Sequence, residues 1–224
     1  MTLPRPTIVL FDMDGTTVRH INPKLLGLLE LIDDILYSLS RYFHRKSAYT
    51  VHHEDMPKGV LVHRMLHRFR RKPVEQIVQP CAGIYNLLTL LRDRGVDVGI
   101  VSNGLGKGYG FDILQKFNLE PYYRSKTFRE HIVRSKPHPD PILRALARFD
   151  RPVTQDDVVW YIGDRRKDVL AALAADTLTP ARIVPFSYGL QAAIAILEKH
   201  IGPDHIIVNY HDFAAKIFPL LEQR

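Results

Sequence analysis

The chain is poor in cysteine, in long apolar runs and in acids. Cys81 stands alone among 224 residues, so no internal disulfide can form, and nothing around it clusters as a thiolate metal site would. It reads as a buried thiol. No apolar run approaches the ~20 residues of a membrane helix. The richest stretch, Leu25 to Leu39, is interrupted by Glu30, Asp33 and Asp34. The opening residues, M-T-L-P-R-P, lack the charged-then-apolar order of a secretory leader. Repeats, low-complexity tracts and long linkers are missing as well. These absences predict a cytoplasmic protein with no membrane partner. Acids are outnumbered, 24 Asp and Glu against 31 Lys and Arg, for a net charge of +7. The excess is uneven: Arg19 to Pro80 holds 11 Lys and Arg, 6 Asp and Glu, and 6 of the 11 histidines. Such a bias attracts anions or nucleic acid, although it is also the ordinary mark of a solvated helix face.

What is present suits a globular enzyme. At 46% hydrophobic and 25% charged, the chain is long enough for one sizeable core with a small inserted domain. Ile8 to Phe11 is an apolar run of the kind a strand buried on both faces shows. From Asn22 to about Arg45, apolar residues recur at three- and four-residue spacing, from Leu25 to Phe43, with Asn22 and Pro23 as a start signal. A second helix is predicted over Lys58 to Arg71, carrying Arg64, Arg68, Arg70 and Arg71, and Pro73 ends it.

After Pro80 helices and strands alternate. Helices are expected at about 82–94, 109–117, 141–149, 167–175, 190–200 and 213–221, and strands at 96–101, 158–162, 182–185 and 205–208. Residues 121–134 read as irregular, and 135–140 as a proline-bounded loop. This alternation predicts an α/β fold, a Rossmann-like, mostly parallel sheet with helices on both faces. Residues 1–18 and 81–224 form the core in this reading, and 19–80 a small helical domain inserted after the first strand.

Four short motifs fall at strand ends or between strand-helix units, where ligands bind in open α/β sheets. The first is D-M-D-G-T, with Asp12 and Asp14 just past the first strand and Gly15 free to turn the backbone. Alone, D-x-D-G is also an ordinary solvated turn. The second is V-S-N-G, where the Ser102 hydroxyl, Asn103 and nearby N–H groups at a helix entrance suit a phosphate oxygen. The third is K-P-H-P-D, whose prolines restrict the loop that carries Lys136, with Asp140 expected to cap the next helix. The fourth is G-D-R-R-K-D, with Asp164 and Asp168 four residues apart and so on one face once a helix starts.

In this order the four motifs resemble those of the haloacid dehalogenase superfamily, in particular its phosphoglycolate-phosphatase-like members with a helical cap. The resemblance implies Asp12 as nucleophile, Asp14 as general acid and base, and Lys136 as the cation that offsets phosphoryl charge. Ser102, Asn103 and Lys136 would bind the substrate phosphate. Mg²⁺ would be held by Asp12, Asp164 and the main-chain carbonyl of Asp14, with Asp168 in support. The expected activity is hydrolysis of a small phosphorylated metabolite. A phosphosugar mutase, a nucleotide or polynucleotide phosphatase and a non-catalytic binding module are the alternatives, and the basic insert lends the last two some support. Two positions depart from the common pattern: Thr17-Val18-Arg19-His20 after the first motif, and Arg165 after Asp164. Arg19 and His20 sit near the hinge into the insert, as substrate contacts or as plain hinge surface. Oligomeric state is not legible.

Overall fold

The structure, a computed structural model, describes residues 3–21 and 74–222. The two helices expected within 22–71, with Arg64, Arg68, Arg70 and Arg71, lie outside the described residues.

Eight strands are described: β1 Ile8–Asp12, β2 Val18–His20, β3 Val78–Pro80, β4 Asp97–Val101, β5 Ser125–Thr127, β6 Val158–Gly163, β7 Arg182–Tyr188 and β8 Ile206–Ile207. Six α-helices accompany them: α1 Ile84–Asp93, α2 Lys107–Lys116, α3 Asp140–Leu146, α4 Arg166–Asp176, α5 Leu190–Glu198 and α6 Tyr210–Glu222. Six strands make one sheet in the order β5-β4-β1-β6-β7-β8, parallel throughout. β1 lies near the middle, flanked by β4 and β6, and strand order reverses direction beside it. The crevice at such a switch point is the expected binding site.

Alternation along β1 divides the core into two layers. Val9 and Phe11 pack with Ile84 and Leu87 of α1, Ile113 of α2 and Phe213 and Ile217 of α6. Ile8 and Leu10 face the other way, onto Ile142 and Ala145 of α3 and Ala171 and Ala172 of α4. All five residues of β1 are buried, so the apolar run is a strand covered on both faces. α1 stops before Gly95, whose φ of 71° is the left-handed conformation that closes a helix.

Two features differ from the sequence reading. β5 lies within the stretch expected to be irregular, and its Ser-Lys-Thr carries no apolar run. Its pairing of Ser125 to Thr127 with Gly99 to Val101 makes it a strand. β2 and β3 form a separate antiparallel ribbon pairing Val18 with Pro80, Arg19 with Gln79 and His20 with Val78. The division drawn at 18/19 and 80/81 falls on this ribbon.

The edge of the sheet opposite the strand C-termini is tied by a charged clamp. Arg151 donates to Asp97 Oδ2 at 2.9 Å and to both oxygens of Asp157 at 2.9 and 3.0 Å. Asp157 also accepts from the Thr7 hydroxyl at 2.7 Å and from Thr154 N–H at 2.8 Å. The Arg151 guanidinium, aided by these other donors, holds the Asp157 carboxyl well below the usual carboxylate range. A depressed folded-state pKa contributes stability that is present above the unfolded value and lost as pH falls through the folded one. Asp157→Asn should therefore cost about 2 kcal/mol near neutral pH, allowing for the solvent exposure of Arg151. The gap from wild type should close as pH falls below about 4. Denaturant melts across that range check this, and a gap independent of pH would contradict it.

Candidate active site

Three adjacent central strands deliver the expected residues to one edge of the sheet. Asp12 ends β1, Ser102 follows β4 and Asp164 follows β6. The register pairs Asp12 with Val101, so the ends of β1 and β4 are level. Lys136 arrives on the loop between β5 and α3.

The turn after β1 is fixed by its backbone. Gly15 N–H donates to Val18 O at 2.7 Å, and Thr17 and Val18 N–H groups both donate to Met13 O at 3.0 Å. Gly15 has φ of 83°, and a Cβ there would collide with the Asp164 carboxylate. Glycine is thus required for the turn and for the approach of Asp164. Two buried tyrosines brace the turn from below. The Tyr210 hydroxyl donates to Thr16 O at 2.9 Å. The Tyr123 hydroxyl donates at 3.3 Å to Thr17 Oγ1, which donates to Asp12 O at 2.9 Å.

The Lys136 ammonium is the hub. It donates to Asp12 Oδ1, lies 2.6 Å from Asp168 Oδ1 and donates to the Tyr161 hydroxyl at 3.0 Å. Asp12, Lys136 and Asp168 are all buried. Asp168 sits in the first turn of α4, where its Oδ2 accepts from Arg165 N–H at 3.0 Å. Burial alone would favour loss of the Lys136 proton, but Asp12 and Asp168 more than offset it and hold the ammonium well above the usual lysine range. For Asp12, burial pushes the carboxyl well above the usual carboxylate range, the Lys136 charge pulls it back in part, and Asp168, Asp164 and Asp14 add repulsion. Burial, then Asp168, push Asp164 up to about 6, against the pull of Arg165 and Lys136.

Carboxylate oxygens of Asp12, Asp164 and Asp168 lie within 4.8 Å of one another, a spacing that can hold a metal ion. Asp164 Oδ1 is buried with no hydrogen-bond partner among the described residues. Asp168 is already engaged by Lys136 and Arg165 N–H, so Asp12 and Asp164 are the freer ligands. Hard oxygen donors suit a divalent cation such as Mg²⁺. The carboxylate of Asp14 turns instead toward His20 on β2, with Oδ1 3.5 Å from Nε2. Arg19 pairs with the Gln79 side-chain oxygen across the ribbon, in the amide orientation that satisfies both, at 3.0 and 3.2 Å.

V-S-N-G lies just ahead of α2, which begins at Lys107, two residues before the expected start. Ser102 N–H is spent on Thr127 O at 2.8 Å, and its hydroxyl accepts from Leu105 N–H at 3.0 Å. The hydroxyl proton and the Asn103 side chain remain, the latter with a buried Oδ1 that lacks a partner among the described residues. The loop adjoins Asp14, since a Cβ on Gly104 would lie 3.8 Å from Asp14 Oδ2. Asp140 does not cap α3. It is the first helical residue, and its Oδ2 accepts from Val133 and Arg134 N–H at 2.8 and 3.2 Å, closing the Lys136 loop on itself.

The model of one family, haloacid dehalogenase-like hydrolase, matches residues 9–181, a span that holds all four motifs. The chain belongs to the haloacid dehalogenase-like hydrolases. Among relatives of this hydrolase, pyrophosphatase PpaX of Bacillus pumilus is 24% identical over 92% of the chain and 94% of its own length. The phosphoglycolate phosphatase of Photorhabdus laumondii is 23% identical over 93% and 91%. A haloacid dehalogenase-superfamily hydrolase from Ehrlichia chaffeensis has the same fold, with a TM-score of 0.62, 20% identity and coverage of 99% and 100%. The protein is an enzyme of the hydrolase class. No helix among the described residues is long and apolar enough to cross a membrane.

Tyr123, Tyr161 and Tyr210 were not legible as site residues, and His20 was read only as a hinge residue, in contact with substrate or on the surface. A tyrosine in an apolar stretch reads as core, and only the fold puts the three tyrosine hydroxyls beside the motifs. The raised Asp164 carboxyl has a measurable consequence. A carboxyl whose folded pKa lies above its unfolded value costs stability once ionised. Asp164→Asn should raise the Tm of metal-free protein near pH 8 by roughly 5 °C. The gain should shrink as pH falls through about 6 and vanish near the unfolded value of about 4. Thermal melts in chelator test this, and a lower Tm for the variant near pH 8 would contradict it.

Proposed function

We propose that this hydrolase is a Mg²⁺-dependent phosphatase of a small phosphomonoester, working through an aspartyl phosphate on Asp12. The observation that carries the reading is the buried contact of Lys136 with Asp12 at the end of the central strand, beside an Asp164 Oδ1 that has no hydrogen-bond partner among the described residues. Asp12, Asp164 and Asp168 bring carboxylate oxygens within 4.8 Å of one another, and the Lys136 ammonium touches two of the three. A further cation would offset the repulsion that pushes the Asp12 and Asp164 carboxyls up. Asp12, Asp164 and the Asp14 carbonyl would hold Mg²⁺, which supplies Lewis-acid polarisation of the phosphoryl group and screens the nucleophile from it.

The chain's own residues do the rest. An Asp12 carboxylate oxygen attacks phosphorus as the ester P–O bond breaks, and Asp14 gives its proton to the leaving oxygen. Asp14 then takes a proton from water as that water attacks the aspartyl phosphate, freeing inorganic phosphate and restoring Asp12. Lys136, the Ser102 hydroxyl and the Asn103 amide hold the phosphoryl oxygens. Asp168 orients Lys136. Residues 19–80 act as a helical cap domain that selects the substrate and excludes water, on a core of 1–18 and 81–224. The names of relatives, pyrophosphatase and phosphoglycolate phosphatase, support a small soluble phosphorylated substrate. The cytoplasm is the matching compartment.

A structure described as a putative beta-phosphoglucomutase from Thermotoga maritima shares the fold, with a TM-score of 0.57, 18% identity and coverage of 96% and 98%. A mutase would use the same groups but yield an isomerised product. The test is purified protein with Mg²⁺ on a panel of phosphorylated metabolites and nucleotides, assayed for free phosphate and for isomers. Phosphate release should be lost in chelator, and Asp12→Asn should lower kcat by on the order of 10⁴ while leaving the fold intact. Turnover at wild-type rate in chelator or in Asp12→Asn would overturn the reading.

A further inference from the structure

An ammonium has three N–H donors and no acceptor, and a buried one needs a partner for each. Lys136 has three: Asp12 Oδ1, Asp168 Oδ1 and the Tyr161 hydroxyl. The first two are carboxylates that also serve the proposed chemistry. The third is a neutral phenol on β6, itself buried, three residues before Asp164. Its hydroxyl accepts from Lys136 at 3.0 Å and donates to Asp168 Oδ1 at 3.4 Å. Lys136, Tyr161 and Asp168 thus form a closed triangle, and Asp12 is the one partner outside it.

The triangle has a physical use. Two points of attachment leave an ammonium free to swing about the line between them, whereas a third fixes it. Tyr161 comes from a central strand bonded to β1 and β7, whereas Lys136 comes from a loop closed by Asp140. A neutral third partner also adds no charge to a crowded carboxylate cluster.

The geometry points to Tyr161 as a positioning residue that aims the Lys136 ammonium at Asp12. This rests on the phosphatase reading for its catalytic consequence, though not for the placement itself. A tyrosine acting through Lys136 should affect the phosphoryl-transfer step more than the binding of substrate.

Tyr161→Phe removes one oxygen and keeps the ring. Its kcat should fall about tenfold with KM within about twofold. In a Lys136→Met background the same change should have no further effect on kcat, because there is no ammonium left to aim. A role in core packing alone would give the same loss in both backgrounds. A second readout needs no activity. The Lys136 ammonium protons, held by three buried acceptors, should exchange slowly enough to give a ¹H–¹⁵N signal, identified by its absence in Lys136→Met. That signal should broaden or vanish in Tyr161→Phe, while Tm and the amide spectrum stay close to wild type.

An unchanged kcat in Tyr161→Phe, equal losses with and without Lys136, or an unaltered ammonium signal would each overturn the proposal. The two readings can fail separately. Wild-type protein that is inactive across the panel would defeat the phosphatase reading and the kinetic role of Tyr161, while the ammonium signal would still decide whether Tyr161 fixes Lys136.

Discussion

The site depends on one buried charge. Lys136 brings an ammonium into the protein between two carboxylates, and a charge so placed survives only if its partners are well aligned. Much of the surrounding structure supplies that alignment. β1 carries Asp12 in on a strand covered on both faces, and α4 presents Asp168 from its first turn. Asp140 closes the loop that bears Lys136 by gripping two of that loop's own N–H groups. Removal of Lys136 would leave the Asp12 and Asp168 carboxylates buried without their ammonium.

Topology explains why these groups meet. The parallel sheet puts every strand's C-terminal end on one edge, and strand order reverses beside β1. Residues far apart in the chain, Asp12, Ser102, Lys136 and Asp164, therefore share one crevice. Close approach then needs the absence of side chains at chosen points. Gly15 makes room for the Asp164 carboxylate, and Gly163 makes room for Asp168, whose Cβ and Cγ a side chain there would strike. The cluster that results is rich in negative charge, which is why it suits both a divalent cation and a lysine.

Much of this was legible in the sequence, and the rest was not, for physical reasons. The apolar runs of β1, β4 and β6 mark central strands, and Asp12, Ser102 and Asp164 stand at their C-terminal ends. β5 was not legible because its three residues owe their conformation to β4 rather than to their own pattern. Asp140 was read as a cap from its place before an apolar segment, but its partners lie six and seven residues upstream, beyond local rules. The hydroxyls of Tyr123, Tyr161 and Tyr210 reach Thr17, Lys136 and Thr16 across 106, 25 and 194 residues of chain, separations that no spacing rule reaches.

The central claim is that Asp12, held by Lys136, takes the phosphoryl group onto its own carboxylate. The direct measurement is to quench the enzyme with acid during steady turnover of its best substrate and map the protein-bound phosphate by peptide mass spectrometry. The account predicts an acid-stable, base-labile phosphate on the peptide that contains Asp12. Phosphate on a different residue, or steady turnover with no phosphorylated peptide in a rapid-quench series that spans the first turnover, would contradict it.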